Sequence, residues 1–88
     1  MPWTAELSIA ATKTLEQIDT TTRNRIRRFI RERLQGTDNP RQWGKALNGR
    51  YAGLWRYRIG DYRLVCHLQD ARLVVLVVKV GHRSDVYR

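Results

Sequence analysis

Three arginines in one short stretch carry the strongest chemical signal in this chain. The segment Trp55-Arg56-Tyr57-Arg58-Ile59-Gly60-Asp61-Tyr62-Arg63 alternates like two strands joined by a two-residue turn, with Gly60 supplying the positive φ that such turns demand. That turn sets a register: Ile59 opposite Tyr62, Arg58 opposite Arg63, Tyr57 opposite Leu64, Arg56 opposite Val65 and Trp55 opposite Cys66. Side chains alternate along a strand, so Trp55, Tyr57, Ile59, Leu64 and Cys66 share a core face, and Arg56, Arg58 and Arg63 share the other. A slip of one residue would expose the apolar face to water. Arginines directly opposite each other repel, and Asp61 lies in the turn, off that face. Either a carboxylate from elsewhere, Glu6 or Glu16, relieves them, or a bound anion does. Phosphate is the anion that the planar, bidentate guanidinium reads well.

A second group of polar residues follows in Lys79-Val80-Gly81-His82-Arg83-Ser84-Asp85-Val86-Tyr87-Arg88. Gly81 is expected to end a strand and to leave His82, Arg83 and Tyr87 beside the hairpin. Histidine changes charge near neutral pH, which makes His82 a candidate proton acceptor, although a histidine after a strand is more often just exposed. Tyr87 can stack on a nucleobase or pack against the domain. His67 falls within a strand and reads as structural. Lys45, Arg50 and Lys79 are expected to add contacts to RNA. Cys66, the only cysteine, sits in an apolar run and reads as a small core residue. No intrachain disulfide or Cys-based zinc site is possible, no acidic metal-binding cluster is visible, and no cofactor is expected.

These side chains need a scaffold, and hydrophobic periodicity outlines one. Trp3–Ile9 alternates as a half-buried strand, and Ala10–Ile18 reads as a short helix. Asp19 and Thr20–Thr22 supply N-cap chemistry for a longer helix. In that helix Ile26, Phe29, Ile30 and Leu34 form one apolar stripe, and Gly36 is a plausible stop. Its other faces carry Arg23, Arg25, Arg27, Arg28, Arg31 and Arg33, which fits a solvated surface, a phosphate contact or a dock for an acidic partner. Thr37–Tyr51 reads as a polar connection. Three strands follow: Leu54–Ile59, Tyr62–Leu68 and Arg72–Val80. The last contains six consecutive apolar residues, the pattern of an interior strand covered on both sides. Helices followed by consecutive strands indicate an α+β fold, β-α-α-β-β-β, with an antiparallel-rich sheet and both helices packed on one face.

Composition sets the bounds. Residues 1–88 suffice for a single domain, and an apolar share of 42% suits a globular protein. Seventeen Lys and Arg against eight Asp and Glu leave a net charge of +9, and lysine occurs only at Lys13, Lys45 and Lys79. An arginine excess of this size points to a polyanionic partner. There is no apolar leader-like segment and no 18-residue apolar run, so a soluble, cytoplasmic protein without membrane contact is expected.

The run Gly53-Leu54-Trp55-Arg56-Tyr57-Arg58, then Gly60-Asp61-Tyr62-Arg63-Leu64, Val80-Gly81-His82-Arg83 and Val86-Tyr87, resembles the RelE/ParE toxin superfamily, most of all its RelE branch. The order of elements agrees over nearly the whole chain. The resemblance implies a toxin of a toxin–antitoxin pair that cuts mRNA on the translating ribosome, at its A site, and is held in check by a cognate antitoxin. Carried over, the residues that surround the scissile phosphate are Arg56, Arg58, Arg63, Arg83 and Tyr87. The implied chemistry is metal-independent attack of an RNA 2′-OH on the adjacent phosphate. Well-known RelE toxins carry lysines on the hairpin strand where this chain has Arg56 and Arg58. Arginine stabilises charge but does not accept protons, so the base must be His82, Tyr87 or a group of the ribosomal RNA. With the chain ending one residue past Tyr87, a C-terminal helix is expected to be absent or very short. Two other readings remain open: a ParE-like poison of DNA gyrase that acts by binding, and a non-catalytic RNA-binding module.

Overall fold

The computed structural model describes residues 1–88. Strand β1 (Thr4–Leu7) is followed by helices α1 (Ile9–Gln17) and α2 (Thr20–Phe29). Four strands complete the chain: β2 (Lys45–Ala46), β3 (Leu54–Ile59), β4 (Tyr62–Gln69) and β5 (Val74–His82). They form one sheet in the order β1-β5-β4-β3-β2. All neighbours are antiparallel except β1, which runs parallel to β5 with Thr4 opposite Val74 and Leu7 opposite Val77. The α+β class and the antiparallel-rich sheet agree with the sequence.

Ser8 ends β1 early. Its hydroxyl accepts from the Ala11 N–H at 3.0 Å, capping α1, so Ile9 opens the helix and stays exposed instead of extending the strand. Asp19 caps α2 through the Thr22 N–H at 3.0 Å. The Thr22 N–H thereby holds the Asp19 carboxyl below its usual pKa. The apolar stripe of α2 continues into a wider π turn over Ile30–Leu34, closed by the Gln35 N–H on the Ile30 carbonyl at 2.8 Å. Ile26, Ile30 and Leu34 all reach the core. Gly36, with φ of 80°, then turns the chain away.

Both helices cover one face of the sheet, where Ala11, Leu15, Ile26, Ile30 and Leu34 meet Tyr57, Ile59, Leu64, Cys66, Leu68, Val75, Val77 and Val80. Cys66 is fully buried, and burial pushes its thiol pKa up, which suits an inert core position. Strand β5 is interior to the sheet, but its two sides are covered unequally. Val75 and Val77 are buried under the helices, whereas on the second face only Val74 of the strand is buried and Leu76 stays half exposed, as does Val78. No helix lies over that second face. Its cover comes from the segment after β5, where Val86 is buried with Cα and Cβ 3.3 Å from the position a Gly81 Cβ would take. Val65, facing the same way as Arg56 and Arg63, is buried there too. No helix of the chain is long and apolar enough to cross a membrane.

Strand β2 lies inside the stretch read as a polar connection. Two residues are too few to show a period, so nothing in the sequence marks it. It pairs Lys45 with Arg56 and Ala46 with Trp55, and the Leu47 N–H extends the ladder to the Leu54 carbonyl at 2.9 Å. A turn at Pro40–Trp43 leads into it. There Arg41 forms a two-pronged pair with Asp70 at 3.0 and 2.9 Å. Its guanidinium lies over the rings of Trp3, 5.9 Å away, and Trp55, 5.4 Å away. The hydrogen bond from Arg41 holds the Asp70 carboxyl below its usual pKa.

Candidate active site

The hairpin has the register its turn residues dictate: Ile59 opposite Tyr62, Arg58 opposite Arg63, Tyr57 opposite Leu64, Arg56 opposite Val65 and Trp55 opposite Cys66. Gly60 holds the turn with φ of 57°. Arg56, Arg58 and Arg63 consequently emerge on the face away from the helices. They line an open cleft of about 510 Å³. Strand β2 and the turn after it add Lys45, Ala46, Leu47, Asn48 and Tyr51 to the wall, and the segment after β5 adds Arg83 and Tyr87. Four separate pieces of chain thus converge on one concavity whose charged side chains are all cationic.

No ion pair neutralises the hairpin arginines Arg56, Arg58 and Arg63; Glu32 shares a concavity with Arg58 but is not paired with it. Glu6 lies 4.0 Å from Arg72 instead, and Glu16 joins no ion pair, so neither relieves the arginines. Arg63 folds back on its own turn, donating through Nη1 to the Gly60 and Tyr62 carbonyls at 2.9 Å. Burial first, then the guanidiniums of Arg58 and Arg56, hold the Arg63 pKa below its ordinary value. An arginine so placed remains charged at neutral pH, and an anion bound beside it would relieve the repulsion. Arg83 has a partial partner, with Nε 3.7 Å from an Asp61 carboxylate oxygen. Its backbone N–H donates to the Asp61 carbonyl at 2.7 Å. That backbone bond fixes where the segment after β5 meets the hairpin turn, while the exposed ion pair contributes little.

Tyr87 is half buried, and its ring meets Tyr51 edge-on with centroids 5.4 Å apart. Its backbone carbonyl accepts from Tyr51 Oη at 2.7 Å and from Arg50 Nη2 at 3.0 Å. The Tyr87 hydroxyl is buried in the wall of the cleft without any hydrogen-bond partner, a costly state for a polar group. Rotation of the side chain toward the cleft would let a ligand oxygen remove that cost.

Other residues singled out from the sequence lie elsewhere. His82 pairs with Tyr62 and not with Arg63, so it faces the helix side with Thr14, Gln17 and Ile18 around it. Its ring meets Tyr62 at 5.6 Å, and its Nδ1 accepts from the Ser84 N–H at 3.2 Å. A bulge in β5 at Val78, where Cys66 pairs with Val77 but Val65 with Lys79, shifts the alternation by one residue, so Val80 and His82 join the helix face, opposite the cleft. Lys79 does not line the cleft, because its Nζ donates to the Arg88 carbonyl at 3.0 Å. Arg50 is not in the wall either; it holds Tyr87 in place from behind. Tyr51 and Asn48 were not anticipated. A lone aromatic in an otherwise polar stretch was the available signal for Tyr51, and Asn48 carried none. His67 lies in β4 as expected, exposed on the face away from the helices. There is no group of His, Cys, Asp or Glu placed to hold a metal.

Comparison with known proteins meets this geometry from another direction. The family described as the ParE toxin of type II toxin–antitoxin systems, parDE, matches residues 5–87. Toxin RelG of Mycobacterium tuberculosis is 31% identical over 90 residues, which span 100% of this chain and 99% of RelG. The toxin–antitoxin complex RelBE2 of the same organism contains a chain that superposes with a TM-score of 0.83 at 26% identity, covering 97% of this chain and 95% of its own. A mutant of the Escherichia coli toxin RelE in its free state gives a TM-score of 0.77 at 26% identity, covering 99% and 92%. The chain belongs to the RelE/ParE superfamily of toxins from type II toxin–antitoxin systems, on its RelE branch.

Proposed function

We propose that this toxin is a ribosome-dependent mRNA endoribonuclease and that the cation-lined cleft is where the message is cut. One observation carries the reading: Arg56, Arg58 and Arg63 stand together with no carboxylate partner, beside the unpartnered hydroxyl of Tyr87. A phosphodiester supplies the missing negative charge and the missing hydrogen-bond acceptor at once.

In the reaction the RNA 2′-oxygen bonds to the adjacent phosphorus as the bond to the 5′-oxygen of the next nucleotide breaks. One product ends in a 2′,3′-cyclic phosphate and the other begins with a 5′-hydroxyl. The proton of the 2′-OH must leave, and another must reach the departing oxygen. Arg56, Arg58, Arg63 and Arg83 stabilise the extra charge of the pentacoordinate phosphorane, a role that suits fixed guanidiniums in a preorganised site. Within the cleft Lys45, Tyr51 and Tyr87 carry groups that can shed and regain a proton, and the Tyr51 hydroxyl is already engaged with the Tyr87 carbonyl. Tyr87 is the better candidate, because its hydroxyl has no partner to give up once the side chain turns toward the RNA, and a ribosomal RNA group can supply the other proton transfer. His82 is left out, since it faces the other side of the sheet.

A cognate antitoxin is the natural partner. The RelBE2 complex of M. tuberculosis is a toxin–antitoxin complex, and an acidic or amphipathic segment laid over this cleft would neutralise it. Primer extension on mRNA in a reconstituted translation reaction tests the activity. Cleaved message is expected with the wild type, and at least about a hundredfold less with Arg63→Ala or Arg83→Ala. Both variants cutting at the wild-type rate would remove the cleft from consideration. Intact message together with DNA damage signalling in cells would favour a gyrase poison.

A further inference from the structure

Next to the cleft lies a second concavity, lined by Trp43, Gly44, Lys45, Arg56 and Arg58, with a volume of about 330 Å³. It shares Lys45, Arg56 and Arg58 with the cleft, so the two form one continuous cationic surface. Trp43 is the exception to its chemistry. It is a large aromatic 37% exposed, whereas the chain's other two tryptophans are packed: Trp3 is buried and Trp55 lies against the core.

The exposure of Trp43 is built rather than loose. The preceding turn is tied down by Tyr57 Oη, which donates to the Pro40 carbonyl at 2.5 Å. The residue after it is Gly44, where a Cβ would sit 2.9 Å from Tyr57 Cε1 and 3.3 Å from the Arg56 carbonyl oxygen. Only glycine lets the backbone lie that close. One residue further on, Lys45 pairs with Arg56. Trp43 is therefore clamped on both sides against β3, and its ring is held where the cations are. The Arg33 guanidinium lies 5.6 Å from the ring centroid and joins no ion pair.

An aromatic face set among unpaired cations is the arrangement that binds single-stranded nucleic acid, with cations tracking phosphates and the ring stacking on a base. We infer that Trp43 is a base-stacking platform for a nucleotide flanking the one held in the cleft, with Arg33 contacting that nucleotide's phosphate or base. The inference rests on the reading of the cleft as an RNA site and extends that site by one nucleotide.

The test measures binding of the full chain to a short unstructured RNA, such as an oligoadenylate decamer, and to a matched oligonucleotide lacking bases. Trp43→Ala should weaken binding of the intact RNA about tenfold or more and leave affinity for the abasic strand unchanged. Trp43→Phe should retain much of the affinity, and far-ultraviolet circular dichroism should show both variants folded. Quenching of tryptophan fluorescence by the intact RNA should disappear in both variants. Equal losses for the two oligonucleotides, or no loss for either, overturn the platform. So does a loss confined to affinity for the antitoxin, which would make Trp43 a protein-docking residue. If the wild type binds both strands alike while still cutting mRNA, the platform fails and the endoribonuclease stands. Stacking without any cleavage of message has the reverse meaning.

Discussion

At the scale of single residues, the cleft separates groups that hold charge from groups that can move a proton. Arg56, Arg58 and Arg63 lie on one face because alternation and a two-residue turn put them there. In β5 a bulge at Val78 shifts that alternation by one residue and removes His82 from the cleft. His82→Ala is therefore expected to cut mRNA within a few-fold of the wild-type rate, as read by primer extension. Tyr87→Phe keeps the ring against Tyr51 and deletes only the unpartnered hydroxyl. It should lose cleavage by tenfold or more, in keeping with the roughly hundred- to ten-thousand-fold worth of positioned acid–base groups, while circular dichroism stays unchanged. A Tyr87→Phe variant that cleaves message as well as the wild type would move both of the proposed proton transfers to the ribosome.

At the scale of elements, the hairpin was legible down to its register because one glycine and a strict apolar alternation leave a single alignment that buries Trp55, Tyr57 and Ile59. Helix α2 was equally legible from Asp19–Leu34, where a cap and an apolar stripe coincide, whereas α1 was read as Ala10–Ile18 and its Ser8 cap was hidden in the alternation of the first strand. The connection from Thr37 to Tyr51 was not. Its order comes from long-range contacts, Tyr57 with Pro40, Gly44 with Tyr57 and Lys45 with Arg56, and none of these leaves a local period. Apart from Lys45, the cleft residues from that stretch, Ala46, Leu47, Asn48 and Tyr51, were hidden for that reason. The turn itself offers a check. At Gly60 a Cβ would meet Arg25 Nη1 at 2.5 Å, and the φ of 57° disfavours any other residue. Gly60→Ala should cost about 1–2 kcal/mol for the left-handed backbone alone, with Arg25 forced aside as well. Urea unfolding measures that loss, and a midpoint equal to the wild type would contradict the turn geometry.

At the scale of the whole molecule, a net charge of +9 would make the proposed binding to RNA a counterion-release process. Affinity should fall steeply with salt, and each phosphate-contacting arginine removed should lower the slope of log K against log salt by about 1. Arg56→Gln tests this by titration at several salt concentrations. Acid stability has a different origin. Asp70, bonded to Arg41, and Asp19, bonded to the Thr22 N–H, have folded pKa values below their unfolded ones. Their stabilisation is complete above the unfolded value of about 3.9 and is lost as the pH falls through the folded values. Urea midpoints should drop between pH 5 and pH 2, and less so in Asp70→Asn. Finally, Arg83 and Tyr87 are carried on a short run fastened by Val86 against Gly81, the Asp61 carbonyl, Arg50 and Tyr51. None of those attachments belongs to the helix-side core. This run is therefore expected to open before the helix-side core does, carrying Arg83 and Tyr87 away from the hairpin, which would show as early amide exchange in residues 83–87.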